Sequence, residues 1–309
     1  MLERSFLLVL LLLVVQVHHG QTMDDAAMLH KTLLADYNKH IRPSVDQSKP
    51  VIVNVTFDLV PVREVDEIMG KISLVGALWL IWKEPRMLWN PFAYSQPTKA
   101  VGADHYWYPV RIYYDGTAVW TPIDVVTTTC TFDITYYPFA VQTCEISFMP
   151  YGAFVNEIYL HAAEKEVSRR YFTENGEWAL EKAETVSGLI DEQFPTFVIV
   201  LELRRRPTFV IVNVILPILF MGLLNALVFF LPASSGERVS FAMTVLLAIA
   251  VFLTLVGDNM PKTSQPMSTI CYFLLTNLVL SSLIMIVTVL NLNLYHKVYT
   301  TTVPHLYAL

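Results

Sequence analysis

Glu237-Arg-Val-Ser-Phe-Ala-Met-Thr-Val-Leu-Leu-Ala-Ile-Ala-Val-Phe-Leu-Thr-Leu-Val-Gly-Asp258 is long enough to cross a bilayer as a helix, yet polar residues recur along it in register. Arg238 aside, those residues are Glu237, Ser240, Thr244, Thr254 and Asp258. On a helix they share one arc of about 100° with Leu247 and Val251, and the remaining positions are Phe, Ala, Met, Val, Leu and Ile, with Gly257. Carboxylates at both ends of an apolar helix mark a water-filled cavity or an ion pathway. The stripe is therefore read as facing water. One helix cannot enclose a pore, so several copies are required. Leu247 and Val251 would then form apolar rings that close by dewetting, and rings of Glu237 and Asp258 would favour cations. Back-bonding of hydroxyls to helix carbonyls is the competing reading of Ser240, Thr244 and Thr254. It does not account for the two acids.

Two further apolar segments flank this one, giving predicted membrane helices at about 209–231, 239–256 and 268–290 within a membrane domain of residues 208–294. Upstream, residues 21–207 carry most of the charge and end at Arg204-Arg205-Arg206-Pro207. The N-terminus reads as a secretory signal over residues 1–20, with an apolar run from Phe6 to Val15 too short to span and a polar end at His18-His19-Gly20. Residues 21–207 are then expected outside the cell and 295–309 form a cytoplasmic tail. The arginine triplet sits on the outer side, against the positive-inside bias, because the signal sets the orientation first. Contact with lipid headgroups is one reading of Arg204 and Arg206. With 54% hydrophobic and 16% charged residues, the 309-residue chain reads as a plasma-membrane, multi-pass protein. A net charge of -6 argues against nucleic-acid binding. No metal-ligand pattern, nucleophile elbow, phosphate loop or catalytic acid pair is legible, so neither an enzyme nor a cofactor is expected.

In the outer part, Val51, Val53, Val55, Phe57 and Leu59 alternate with polar residues as a half-buried strand. Asn54-Val-Thr56 on its other face is an N-glycosylation acceptor. Further strand-like runs at 71–82, 110–120, 124–132, 144–148 and 196–203, separated by turn residues, predict an antiparallel β-sandwich. Cys130 and Cys144 can close an extracellular loop, which the chain-entropy model values at about 3 kcal/mol. Within it, Tyr137-Pro138-Phe139 forms an apolar turn that could pack against the membrane domain. Cys271, inside the third apolar segment, reads as a small buried apolar residue.

The cysteine loop resembles the signature loop of the pentameric ligand-gated channels, nicotinic acetylcholine receptors in particular. Other pieces match in order and spacing: Tyr37 to Pro43, Val65-Asp-Glu67, Trp89-Asn-Pro91, Trp120-Thr-Pro122, Gly176-Glu-Trp178, Phe209 to Pro217, and Leu231 to Arg238. The resemblance implies an extracellular β-sandwich followed by an all-α membrane domain, assembled into homo- or hetero-pentamers. It further implies a small-molecule agonist, of which a cationic amine is one class, permeant cations, membrane lipids as surroundings and a postsynaptic setting. By position, Glu237 corresponds to the cation-selectivity ring, Leu247 to the hydrophobic gate and Asp258 to the outer acidic ring. Glu67 and Arg205 correspond to a buried pair coupling the ligand domain to the pore, and Pro138 and Pro261 to the coupling loops.

Several positions depart from that pattern. Tyr151 and Phe194 fall at two principal-face aromatic positions of a cation–π cage. For both, packing inside the sandwich is the alternative. The complementary aromatic position holds Ala77, with Trp79 two residues on. The capping segment, residues 181–194, lacks an adjacent cysteine pair, and Ala140 replaces the expected aspartate. About seventeen family residues have no counterpart between Val101 and Gly102, a loss expected to expose strand edges. The family's fourth helix is not expected in residues 295–309, so the chain reads as truncated. Two functions stay open: a cation-conducting channel subunit, and a non-conducting subunit that modulates the assembly or ligand response of full-length partners.

Overall fold

The computed structural model describes residues 23–94, 99–101, 108–232, 236–258, 260 and 267–302. The expected signal segment (residues 1–20), Pro261, the Val101–Gly102 junction and residues 303–309 lie outside the described residues.

Helix α1 (Met23–Leu34) precedes ten strands: β1 (Val51–Asp66), β2 (Lys71–Leu88), β3 (Lys99–Val101), β4 (Arg111–Tyr113), β5 (Asp115–Trp120), β6 (Ile123–Thr129), β7 (Val141–Phe148), β8 (Ile158–Ala162), β9 (Trp178–Ile190) and β10 (Phe194–Arg205). They form a sheet in the order β3-β4-β5-β2-β1-β8, with β6 also on β2, facing a second sheet β7-β10-β9. The alternation read in β1 sets the contact: Val51, Val53, Val55, Phe57 and Leu59 are buried against Phe197, Ile199, Leu201 and Leu203 of β10. Gly76 is required at this contact, because a Cβ there would overlap the Phe57 ring. One element departs from the expected pattern, since β8 pairs parallel to β1 from Val51↔Ile158 to Val55↔Ala162. Behind α1, the Glu84 carboxylate is buried and takes the Arg86 guanidinium at 2.8 Å and the Tyr37 hydroxyl at 2.9 Å, holding the segment after the helix to β2.

Among the described residues, three apolar helices long enough to span a membrane follow: α2 (Thr208–Phe230), α3 (Glu237–Asp258) and α4, of which Thr269–Lys297 is the candidate span in a helix running to Thr302. The α4 helix thus continues past the expected end near 290 and through the start of the expected tail, since Thr269–Thr302 contains neither Gly nor Pro to stop it. In α2 the turn Ile211–Ile215 is a π-helix just before Pro217. Proline lacks the N–H that would bond the Asn213 carbonyl and crowds that carbonyl, which the wider turn relieves. Each helix buries one face: Ile218, Met221 and Val228 in α2; Ala242, Val245, Ile249 and Val256 in α3; Ile270 and Leu274 in α4. Between α2 and α4, buried Ser281 donates to the Asn225 amide oxygen at 3.4 Å.

Candidate pore stripe and coupling site

The packing of α3 divides it cleanly. Its buried residues are apolar and face α2 and α4. Glu237, Ser240, Thr244, Leu247, Val251, Thr254 and Asp258 are all exposed, with Leu247 at 66% and Val251 at 55%. The exposed stripe and the packing face therefore lie on opposite sides of one helix. Thr244 donates to the Ser240 carbonyl at 2.9 Å and Thr254 to the Val251 carbonyl at 2.8 Å, so both hydroxyls also make the back-bonds considered from sequence. Those bonds satisfy the hydroxyl protons and leave their oxygens and the two carboxylates facing outward.

At the junction of the two domains, Arg205 at the end of β10 donates to Glu67 in the β1–β2 turn at 2.6 Å. Their side chains are only 15% and 8% exposed. The guanidinium also lies over the rings of Trp178 (4.8 Å) and Tyr137 (5.1 Å). Burial pushes the Glu67 carboxyl above its ordinary range in spite of the pull of Arg205. Burial likewise raises the Tyr137 phenol. The flanking arginines are also paired: Arg204 with Glu181 at 2.5 Å and Arg206 with Glu174. Each arginine of the triplet thus meets a carboxylate from another part of the sandwich.

Cys130 and Cys144 form a disulfide with their Cα atoms 5.6 Å apart. The loop they close reaches the membrane domain. Around Pro138, residues Tyr136, Tyr137, Phe139 and Val141 line an apolar recess with Ile215 and Leu219 of α2 and Ile270 and Phe273 of α4. Two anchors in this loop were not read from the sequence. Buried Gln142 accepts from the Asp133 N–H at 2.8 Å and donates to its carbonyl at 2.6 Å. The Thr135 carbonyl takes both the N–H (3.0 Å) and the hydroxyl (2.7 Å) of Thr269, the first residue of α4, and so caps that helix. Hydrogen bonds from Thr135 hold the Asp133 carboxyl below its usual value. Such polar anchors have no periodicity, so only the loop's tertiary placement exposes them. Cys130→Ser is expected to cost about 3 kcal/mol of stability by releasing this loop, read as earlier thermal unfolding, with reductant producing the same loss in the wild type.

Tyr151 is 99% exposed. Phe194 stacks on Phe154, itself exposed, with centroids 5.3 Å apart. It opens strand β10: residues 181–194 form the end of a hairpin in which β9 runs to Ile190 and a tight turn follows, with Asp191 and Glu192 at positive φ and the Gln193 N–H on the Ile190 carbonyl at 3.1 Å. Trp79 donates its indole N–H to Asp58 at 2.8 Å and is half-buried. Asn54 is half-buried on β1, between Ile81 of β2 and His161 of β8. Among the described residues, no group of His, Cys, Asp and Glu could hold a metal ion.

Two family models match. One, described as the neurotransmitter-gated ion-channel ligand binding domain, covers residues 26–110 and 101–207, two stretches that overlap in the region where the sequence shortfall was placed. The other, the neurotransmitter-gated ion-channel transmembrane region, covers residues 214–306. Neuronal acetylcholine receptor subunit alpha-6 of Rattus norvegicus is 32% identical over 89% of this chain and 61% of its own length. Subunit alpha-3 of Bos taurus is 32% identical over 96% of this chain and 65% of its own length, and alpha-3 of Homo sapiens 30% identical over 96% and 64%. The chain thus spans less than two thirds of the length of these relatives.

Proposed function

Because the chain belongs to the neurotransmitter-gated ion-channel family, a family of channels and not of enzymes, we propose that it is a subunit of a cation-selective channel opened by an extracellular small molecule. The sandwich of residues 21–207 would lie outside the plasma membrane and bind agonist between subunits, and α3 would line the pore of a pentamer of related chains. The supporting observation is the exposed stripe from Glu237 to Asp258, set opposite the face that α3 packs on its own neighbours. A helix surrounded by lipid would gain nothing from that distribution. In this reading Glu237 and Asp258 set ion preference and Leu247 and Val251 close the path. Glu67, Arg205 and Pro138 pass agonist binding to the helices, and Pro261 has the matching place in the outer linker. Asn54 is the proposed glycosylation site.

A second reading, a non-conducting subunit that modulates the assembly or ligand response of full-length partners, is favoured by the aromatic geometry. Phe194 is engaged by Phe154 and Trp79 by Asp58, which leaves Tyr151 as the open cage candidate. Expression in oocytes, alone and with a full-length alpha-3 subunit, separates the readings under a panel of amine agonists. Current from the chain alone supports the first. Current only with the partner that Glu237→Gln in this chain alters also supports the first, an altered agonist response of the partner that Glu237→Gln leaves unchanged supports the second, and no effect in either case removes both. In conducting channels, Glu237→Gln is expected to weaken cation over anion preference, seen as a shift of reversal potential under ion substitution. An unchanged reversal potential would remove Glu237 from the selectivity ring.

A further inference from the structure

The first turn of α3 carries two opposite charges side by side, Glu237 and Arg238, and only the acid belongs to the exposed stripe. At 100° per residue Arg238 falls in register with Ala242, Val245, Ile249 and Val256, the buried face of the helix, and about 150° from the middle of the stripe. It is half-buried there and reaches the end of α2. Its Nε–H donates to the Leu231 carbonyl at 2.9 Å, and its Nη2 group donates to the carbonyls of Leu231 and Phe229, the latter at 3.4 Å. Those carbonyls sit where α2 ends: Val228–Phe230 is its last, tightened turn, and Leu231 leaves it with an extended backbone at ψ 133°. The last carbonyls of a helix have no partner within it and carry the negative end of its dipole, so a guanidinium there is held both by hydrogen bonds and by charge. Glu237 has the complementary place, a carboxylate in the first turn of α3. Gly236 just before it stands at φ +72°, a conformation that glycine takes without strain.

We infer that Arg238 is a positioning residue of the inner mouth: it clamps the start of α3 to the end of α2, which fixes Glu237 on the stripe and keeps its own positive charge off it. The consequence for ions rests on the pore reading, and the clamp itself does not. Were both side chains on the ion path, each subunit would bring one negative and one positive charge to the mouth, and the ring would carry no net charge. With the guanidinium turned to the α2 carbonyls, Glu237 is the charge that the path meets. Loss of the clamp therefore has a sign opposite to simple loss of a positive charge. Removing a cation that faced the path would make the mouth more attractive to cations. Releasing the clamp lets the first turn of α3 carry its carboxylate away from the mouth, which makes it less so.

The test reads the charge at the mouth chemically, in the whole chain and in membranes of permeabilised cells, so it requires no current. With Cys271 replaced by alanine, a reporter cysteine replaces Ser240, an exposed residue one turn along α3 from Glu237. Its rates of modification by a trimethylammonium thiosulfonate and by a sulfonate thiosulfonate are compared. Arg238→Met, which keeps an unbranched side chain and removes charge and donors together, is expected to lower the cation-to-anion rate ratio about threefold or more, the effect in water of moving one unit charge several ångström away. Arg238→Lys, able to donate to the same carbonyls, is expected to retain most of the ratio. A ratio that rises or stays unchanged in Arg238→Met overturns the inference. Thermal unfolding of the same chains in detergent separates the clamp from the pore. If the Ser240 reporter reacts with neither reagent, the pore reading fails and the melting temperature alone decides the clamp: it is expected to fall in Arg238→Met and to be largely restored in Arg238→Lys. An unchanged melting temperature in Arg238→Met overturns the clamp. If the methionine chain does not accumulate, Arg238→Gln, neutral and with a single amide donor group, takes its place in both comparisons.

Discussion

Arg205→Ala is expected to cost about 3–5 kcal/mol and to abolish surface assembly or agonist response, because it strands a buried carboxylate. Glu67 has little access to water, and its partner also covers Trp178 and Tyr137, so charge and packing are lost together. Glu67→Gln is expected to be much milder. Burial already outweighs Arg205 in its effect on the Glu67 carboxyl, so the neutral amide avoids a desolvation cost while still accepting a hydrogen bond. The pH dependence separates these effects. A carboxyl whose folded pKa is raised contributes its stability below the unfolded value and loses it as pH rises through the folded value. Removing Arg205 takes away a lowering influence and raises the folded pKa further. The deficit of Arg205→Ala against wild type should therefore be smallest in acid and grow as the pH rises through the folded Glu67 pKa. A deficit independent of pH, measured by thermal unfolding in detergent, would place Arg205's contribution in its ring contacts alone.

Leu247→Ser is expected to lower the agonist concentration for half-maximal opening by at least about tenfold, or to produce channels open without agonist. Leu247 is the most exposed apolar residue of the α3 stripe. Replacing it by serine removes on the order of 2 kcal/mol of apolar transfer energy per copy, and a ring repeats the change in every subunit that carries it. The closed, dry state loses that energy and the wet state does not. Val251→Ser should act in the same direction. Agonist sensitivity unchanged by Leu247→Ser would mean that this ring does not hold the pore shut.

The membrane domain was legible because its signals are local and periodic. The stripe from Glu237 to Asp258, the three apolar spans and the alternation in β1 all depend on neighbours three, four or two positions away. The family-like motifs carried the rest of the fold, including the Cys130–Cys144 disulfide and the meeting of Glu67 with Arg205 from distant strands. Less was legible where a contact joins distant segments without a repeating pattern. Gln142 holds Asp133, Thr135 caps α4 through Thr269, and Glu181 and Glu174 take Arg204 and Arg206, and none of these follows from spacing. Strand β9 escaped notice because Trp178–Ile190 mixes Glu, Lys, Ala, Ser and Gly with few β-branched residues, and its pairing with β10 overrides that weak propensity. The extent of α4 was underestimated because hydropathy marks where a helix leaves the apolar core and not where it stops.

The measurement that bears most directly on the wetted α3 stripe is cysteine accessibility along it. In the Cys271→Ala background, single cysteines at Ser240, Thr244 and Val251 are modified by a membrane-impermeant thiosulfonate, with Val245 and Ile249 on the packed face as controls. Modification of the three stripe positions, faster with agonist than without, together with inert Val245 and Ile249, is the expected result. Stripe positions that all stay inert in chains shown to reach the cell surface, with and without agonist, would contradict it.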